Sequence, residues 1–322
     1  MRVPINAVLE SYSDLAYGTA LVLYLLAMVL HAVEYSASGA PVAIAARAAA
    51  GGNGLVATLA PPEPESGRSR PERVGRSAVA LTGLAVLVHA GSLALRGAAI
   101  GRVPWANMYE FISAICCIAV ACWLVALYRQ GSTETLLRRL GGFVLLPVVV
   151  LMFLGGTVLY ARAAPLIPSL NSYWITIHVS AAITATGILL VSGVASALYL
   201  VALYLVGAPA GSRIAARLPD TTTLDRVAYR TAVVAFPIWT FAIMAGAIWA
   251  EAAWGHYWGW DPKETCALVA WVVYAGYLHA RATAGWRGSP AAWINVVGFA
   301  VMLFNLFFVN IVVAGLHSYA GL

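Results

Sequence analysis

Stretches of about twenty predominantly apolar residues recur eight times along this chain of 322 residues. They lie roughly at 14–34, 77–97, 107–128, 141–160, 178–206, 231–250, 263–284 and 293–314. A run of this length crosses a bilayer as a helix, because a helix satisfies every backbone polar group without water. The expected fold is therefore an all-α polytopic membrane protein with about eight transmembrane helices. Charged residues make up only 10% of the chain and hydrophobic ones 61%, which excludes an ordinary soluble domain. The fifth run is long enough to tilt or to project beyond the bilayer. The first begins after Asp14 without a clean small-x-small exit, so it reads as a spanning helix and not as a cleavable leader.

These runs divide the chain into a first transmembrane helix (1–35), a segment 36–76 and a seven-helix domain (77–322). The middle segment is rich in Ala, Gly, Pro and Arg and contains Pro-Pro-Glu-Pro-Glu-Ser-Gly. Such a composition buries too little apolar surface to order itself, so a flexible cytoplasmic linker is expected. With the loop after the first helix placed inside, fourteen of the nineteen basic side chains fall inside, among them Arg68, Arg138, Arg226 and Arg287. The outside keeps Arg2, Arg96, Arg102, Arg162 and Lys263. By the positive-inside rule both termini lie outside the cytoplasm. The net charge of +6 is scattered singly between apolar runs, which fits membrane topology and not nucleic acid. Four cysteines, Cys116, Cys117, Cys122 and Cys266, form no Cys-x-x-Cys pair and read as small core residues.

On the outer side one stretch concentrates chemistry: Trp254-Gly255-His256-Tyr257-Trp258-Gly259-Trp260-Asp261-Pro262-Lys263-Glu264. Three indoles in seven residues demand large complementary surfaces, and the two glycines leave open backbone against which a flat ligand can lie. Asp261, Pro262 and Glu264 spell a helix start: Asp as N-cap, Pro at the first position, Glu three residues past the cap. His178, at the outer entrance of the fifth span, and His317, just beyond the eighth, belong to the same face. Two imidazoles flanking an aromatic shelf suit axial ligation of a haem iron, although each also suits an interfacial role. His279 lies about 25 Å along its helix from Pro262. An ionisable group at that depth marks a functional site or a structural bond to another helix. His89 is a second candidate within a span, and His31, beside Glu34, reads as interfacial. Asn107 and Glu110 spell an N-cap for the third span, and Arg102, Arg162 and Lys263 are cations on the side where haem propionates would sit.

The pattern Trp254-Gly255-x-x-Trp258-x-Trp260-Asp261-Pro262-Lys263-Glu264 resembles the WWD signature of haem-handling proteins in cytochrome c maturation. Over roughly 79–320 the chain is similar to the CcsA (ResC) family of System II, whose members work with a CcsB (ResB) membrane partner. That resemblance implies holocytochrome c synthase activity shared with the partner. It makes His178 and His317 the outer ligands of haem b, a transient ligand and substrate, held against Trp254, Trp258, Trp260 and Asp261. It makes His279 an intramembrane haem ligand whose mate comes from the partner. It further implies a bacterial plasma membrane protein with its WWD segment extracytoplasmic. Its substrate is then an apocytochrome c carrying Cys-x-x-Cys-His, with thiol-reducing proteins nearby. A shorter System I haem-delivery protein, a b-type membrane cytochrome and a transporter with an aromatic belt are the alternatives.

Overall fold

The computed structural model describes residues 5–37, 69–129, 134–165, 172–206, 218–313 and 315–317. Among them are eight helices and no strand: α1 (Ala7–Ala37), α2 (Arg70–Ile100), α3 (Met108–Arg129), α4 (Glu134–Thr157), α5 (Tyr173–Val206), α6 (Thr221–Trp254), α7 (Pro262–Ala282) and α8 (Ser289–Ile311). Each apolar run of the sequence corresponds to one helix. Seven are long and apolar enough to cross a membrane; α7 is the exception, because Lys263, Glu264 and Arg281 sit at its ends. Its 21 residues still reach about 32 Å. It also runs antiparallel to both neighbours, with Trp239 and Trp271 of α6 and α7 bonding across to Ala267 and Thr240, and Lys263 of α7 meeting Asn310 of α8.

The expected linker 36–76 lies outside the described residues from 38 to 68, and its two ends belong to helices. Arg70–Arg76 forms the first turns of α2, since Ser69 caps that helix by accepting the Glu72 N–H at 3.4 Å and Pro71 sits in the first turn. The helix starts here, before the apolar run, because capping acts on the backbone and needs no apolar side chain. Likewise α6 begins at Asp220, whose carboxylate accepts the Thr223 N–H at 2.8 Å. The 34 residues of α6 reach about 50 Å, well beyond a hydrocarbon core of about 30 Å. Its early turns carry Asp225 and Tyr229, which hold Arg281 by a two-point ion pair and a cation–π contact at 4.9 Å.

Two packed cores result. One joins α1 to α3 and α4 through Tyr17, Tyr24, Ile112, Trp123, Leu145 and Met152; the other joins α5 to α8 through Leu189, Ala235, Trp239, Tyr274 and Met302. Inside a bilayer, helices associate through close approach of small residues and interhelical hydrogen bonds. Gly187 of α5 supplies the approach between the halves: a Cβ there would lie 2.8 Å from Ile118 and 2.9 Å from the Ile115 carbonyl of α3. Asn295 of α8 supplies the hydrogen bonds, donating to Ser192 Oγ at 2.9 Å and Ser196 Oγ at 2.7 Å of α5. Cys116 and Cys117 are buried and Cys122 and Cys266 half-buried, all four as free thiols.

The end of the bundle away from the tryptophan stretch holds a charged group the apolar pattern does not announce. His31 is buried and not interfacial: Gly141 lacks the Cβ that would meet its ring at 2.6 Å, and Trp123 stands edge-on to it. Glu34 beside it is equally buried and accepts Arg138 Nε at 2.7 Å.

Gly187→Ala is expected to destabilise the protein by about 1–3 kcal/mol through overpacking at the α3–α5 approach. Gly276→Ala, where nothing lies within 4 Å, should leave stability unchanged or slightly raised. Thermal unfolding of the detergent-purified variants measures both.

Candidate functional site

The C-terminal end of α6 breaks cleanly at Gly255, whose φ of 78° is left-handed and whose N–H closes the helix on the Glu251 carbonyl. Six residues later Asp261 opens α7. Its capping box with Glu264 is complete: the Glu264 carboxylate accepts the Asp261 N–H at 3.2 Å and reaches back to the Gly259 N–H at 2.9 Å. Asp261 does more than cap. Its Oδ2 accepts the Lys263 N–H at 3.1 Å and His317 Nδ1–H at 2.9 Å, and its Oδ1 accepts the Leu316 N–H at 2.7 Å. One carboxylate thus fastens the segment after α8 to the start of α7. Gly315 permits this, since a Cβ there would stand 2.6 Å from Asp261 Oδ1.

His178 occupies the second turn of α5 and donates Nδ1–H to the Ala242 carbonyl at 2.7 Å. Its ring lies parallel to Trp249, with centroids 6.1 Å apart and 9° between planes. The ring fits because residue 246 is glycine, where a Cβ would be 2.7 Å away. His317 meets Trp249 at 5.6 Å and Trp254 at 4.9 Å, edge-on to both. A carbonyl and a carboxylate can only accept, so both imidazoles carry the proton on Nδ1 and the lone pair on Nε2. This is the arrangement that orients histidine as a metal ligand. Burial lowers the His317 pKa, opposed by the bond and charge of Asp261, and favours the neutral, ligating form.

Both histidines line one open cavity, about 1490 Å³ with the solvent space at its mouth included. Its walls come from α5 to α8, from the loop before α3 and from the first turns of α3, so the site lies where the halves meet. The floor, at Thr186, Trp239, Ala267 and Met302, lies two helical turns below His178, about 12 Å deep. The lining is mainly apolar, interrupted by Lys263, Glu264, Asn305, Asn310, Arg102 and Asn107.

Residues 105–317 match the family described as Cytochrome C assembly protein, a span that runs from a cavity-lining indole to His317. The chain belongs to the cytochrome c assembly protein family. Among its relatives, the cytochrome c biogenesis protein CcsA of Synechococcus sp. (strain CC9902) is 36% identical over 269 residues, 74% of this chain and 85% of that protein. CcsA of Synechococcus elongatus is 33% identical over 306 residues, 79% of this chain and 91% of that one. CcsA of Chlamydomonas reinhardtii is 36% identical over 226 residues, covering 68% of this chain but only 61% of its own length. The solved structure of the cytochrome c haem lyase CcmF shares the fold with a TM-score of 0.56 at 19% identity, across 93% of this chain and 46% of that one.

In this cytochrome c assembly protein the expected shelf of three indoles takes a different form. Only Trp258 of the three lines the cavity. Trp254 backs His317 and Trp249. Trp260, with φ of 57° and 68% exposed, stands edge-on to Trp258 at the surface. The remaining indoles of the wall, Trp249, Trp239 and Trp105, come from α6 and the loop before α3. Trp249 was legible only as an indole five residues before Trp254. Asn305 and Asn310 carried a stronger unused signal, being polar amides within an apolar span.

The other candidates separate. Asn107 caps α3 as expected, its side chain accepting the Glu110 N–H at 2.9 Å, and it lines the cavity together with Arg102 and Lys263. Glu110 stands behind the wall, pairing with Arg102 at 3.0 Å and Arg96 at 3.2 Å. Arg162 is exposed in the segment after α4, away from the cavity. His279 is on the outward face of α7, with Val272 and Gly276. His89 is buried with both ring nitrogens engaged, by the Tyr24 hydroxyl at 3.3 Å and the Ser113 hydroxyl at 2.9 Å, which is a structural role.

Asp261→Ala removes the N-cap and both holds on the C-terminal segment at once. Loss of roughly 1 kcal/mol of helix stability is expected. The Leu316 amide should also exchange its hydrogen much faster, which hydrogen–deuterium exchange mass spectrometry of detergent-purified protein reads directly.

Proposed function

We propose that this protein binds haem at the outer end of its cavity, with His178 and His317 as the two axial ligands, and presents it for attachment to an apocytochrome c. The observation that carries the reading is the pair of imidazoles, each tied through Nδ1 and each lining one large apolar cavity. The cavity fits the group in three respects. Its apolar walls and indoles suit a flat macrocycle. The neutral Nε2 of each histidine is the donor that haem iron takes. Three polar atoms of residues that line it, Arg102 Nε, Trp105 Nε1 and Asn305 Oδ1, are buried with no hydrogen-bond partner among the described residues, as expected of a wall that meets a polar-edged ligand.

Haem, the substrate, brings two vinyl groups that accept the two thiols of a Cys-x-x-Cys-His segment to form thioethers. The chain's contribution is positional. His178 and His317 fix the plane, and Trp258 and Trp249 confine the ring. Orientation of this kind is worth several kcal/mol without any acid–base group. The two ligands are also unequal in a useful way: His178 is built into a long helix, whereas His317 sits on a short segment held by Asp261. A ligand on a tether is the one an incoming histidine of the apocytochrome displaces. That asymmetry favours transient holding over the b-type cytochrome reading, in which both ligands would be held rigidly by helices.

His279, pointing outward from α7, serves a second, intramembrane haem shared with a CcsB (ResB) partner, and haem attachment is the joint activity of the two proteins. The excess of basic side chains at the opposite end supports an extracytoplasmic cavity, with both termini on that side, in a bacterial plasma membrane.

The test is the reduced absorption spectrum of the protein copurified with its partner, for wild type and for His178→Ala, His317→Ala and His279→Ala. Low-spin haem is expected in wild type. Either outer substitution should alter one fraction of it and His279→Ala a separate fraction. Unchanged haem content in all three variants, or no haem in wild type, overturns the assignment.

A further inference from the structure

Three cationic side chains stand near the outer end of the cavity, and their charges are balanced very differently. Arg96 is buried between Glu110 at 3.2 Å, Glu10 at 3.5 Å and Asp14 at 3.7 Å. Arg102 lines the cavity, but its Nη1 lies 3.0 Å from Glu110 and also donates to the Val103 carbonyl, while Nη2 donates to the Ala164 carbonyl. Its charge faces the Glu110 carboxylate and both Nη nitrogens are engaged, so that only Nε is buried without a partner among the described residues. Lys263 lines the same cavity, yet its Nζ meets only a neutral acceptor, Asn310 Oδ1, at 2.6 Å.

Among the described residues no carboxylate comes within ion-pair distance of that ammonium. The two acids on its own loop are engaged elsewhere: Asp261 holds Leu316, His317 and the Lys263 backbone N–H, and Glu264 holds Gly259 and the Asp261 N–H. Asn310 is itself fixed, donating Nδ2 to the Leu306 carbonyl at 2.7 Å one turn back, so its oxygen holds the Lys263 head at the cavity wall. An ammonium carries three donors, and Asn310 takes one. The charge of Asp261 reaches the ammonium only from beyond ion-pair distance, and a partly enclosed cation matched so weakly gains when an anion arrives.

We propose that Lys263, steadied by Asn310, is the carboxylate receptor of the cavity and takes a propionate of the bound porphyrin, whereas Arg102 is a wall element already neutralised by Glu110. The proposal rests on the haem reading above and deepens it, for it sets which edge of the macrocycle faces the start of α7. The ring then lies with one carboxylate against Lys263 and its apolar body against the indoles and the floor at Trp239 and Met302. Lysine suits this role as a compact point charge that tolerates either propionate.

The test is equilibrium binding of ferric protoporphyrin IX and of its dimethyl ester to the detergent-purified full chain, followed by absorption. Wild type should prefer the free acid about ten-fold or more, the usual worth of one charge-assisted bond. Lys263→Met should lose that preference while binding the ester as wild type does, and its unchanged ester binding shows that the cavity is intact. Lys263→Arg should restore the preference in part, and Arg102→Gln should keep it. A Lys263→Met protein that still prefers the free acid, or one that weakens for both porphyrins equally, overturns the proposal. So does loss of the preference in Arg102→Gln alone. If wild type binds neither porphyrin, the haem reading fails and this inference fails with it. If wild type binds both equally, only this inference falls.

Discussion

The cavity end of this protein depends on the carboxylate of Asp261. A helix N-terminus leaves backbone N–H groups unsatisfied, and one acidic side chain at the cap normally answers them. Here the same side chain also takes the Leu316 amide and His317 Nδ1. Capping, the course of the chain after α8 and the tautomer of an imidazole are therefore coupled through two oxygen atoms. Glu264 completes the arrangement from the other side by holding the loop that carries Trp258. The aromatic stretch is consequently a rigid turn with a fixed opening and not a loose belt at the membrane surface.

The charged residues buried elsewhere serve the same end at greater energetic cost. Ions taken out of water are stabilising only when fully paired, so they cluster. At the cavity end Arg96, Glu110, Glu10 and Asp14 join α1, α2 and α3, and the Tyr160 hydroxyl donates to Asp14 from the segment after α4. The Tyr160 pKa is raised by burial first and by that bond second. Through Glu110, which also accepts the Ala106 N–H, the cluster sets the loop that brings Trp105 and Asn107 to the cavity. At the opposite end Glu34 and Arg138 join α1 to α4, and Asp225 and Arg281 join α6 to α7. Each half of the molecule is thus pinned by polar contacts, while the junction between halves rests on small residues such as Gly187. The cavity opens at that junction, where helices approach closely only below it.

Much of this was legible beforehand, for local reasons. Spanning helices announce themselves because a bilayer imposes one length and one composition on every crossing. The caps at Asp261 and Asn107 were readable because capping involves residues three apart in sequence. The pairing of His178 with His317 on one face followed from counting spans. Other features were not readable, because they depend on which way a helix face turns. Trp254, Trp258 and Trp260 are close in sequence yet point three ways: into the fold, into the cavity and outward. His89 looked like His279 as a histidine within a span, but packing gave one two hydroxyl partners and left the other facing out.

By itself the sequence determined an all-helical membrane chain, eight helical runs, the starts of α3 and α7, and a chemistry of histidine and indole at one end. Those properties follow from interactions along the chain: hydropathy, capping and the order of spans. Only the tertiary structure decided that Trp249 is the indole shared by both imidazoles, that Glu110 neutralises Arg102, and that Lys263 faces the cavity beside a neutral amide. Each of those joins residues from different helices or distant turns. Such contacts are set by helix rotation and by the close approaches that glycine permits, and no spacing in the sequence encodes them.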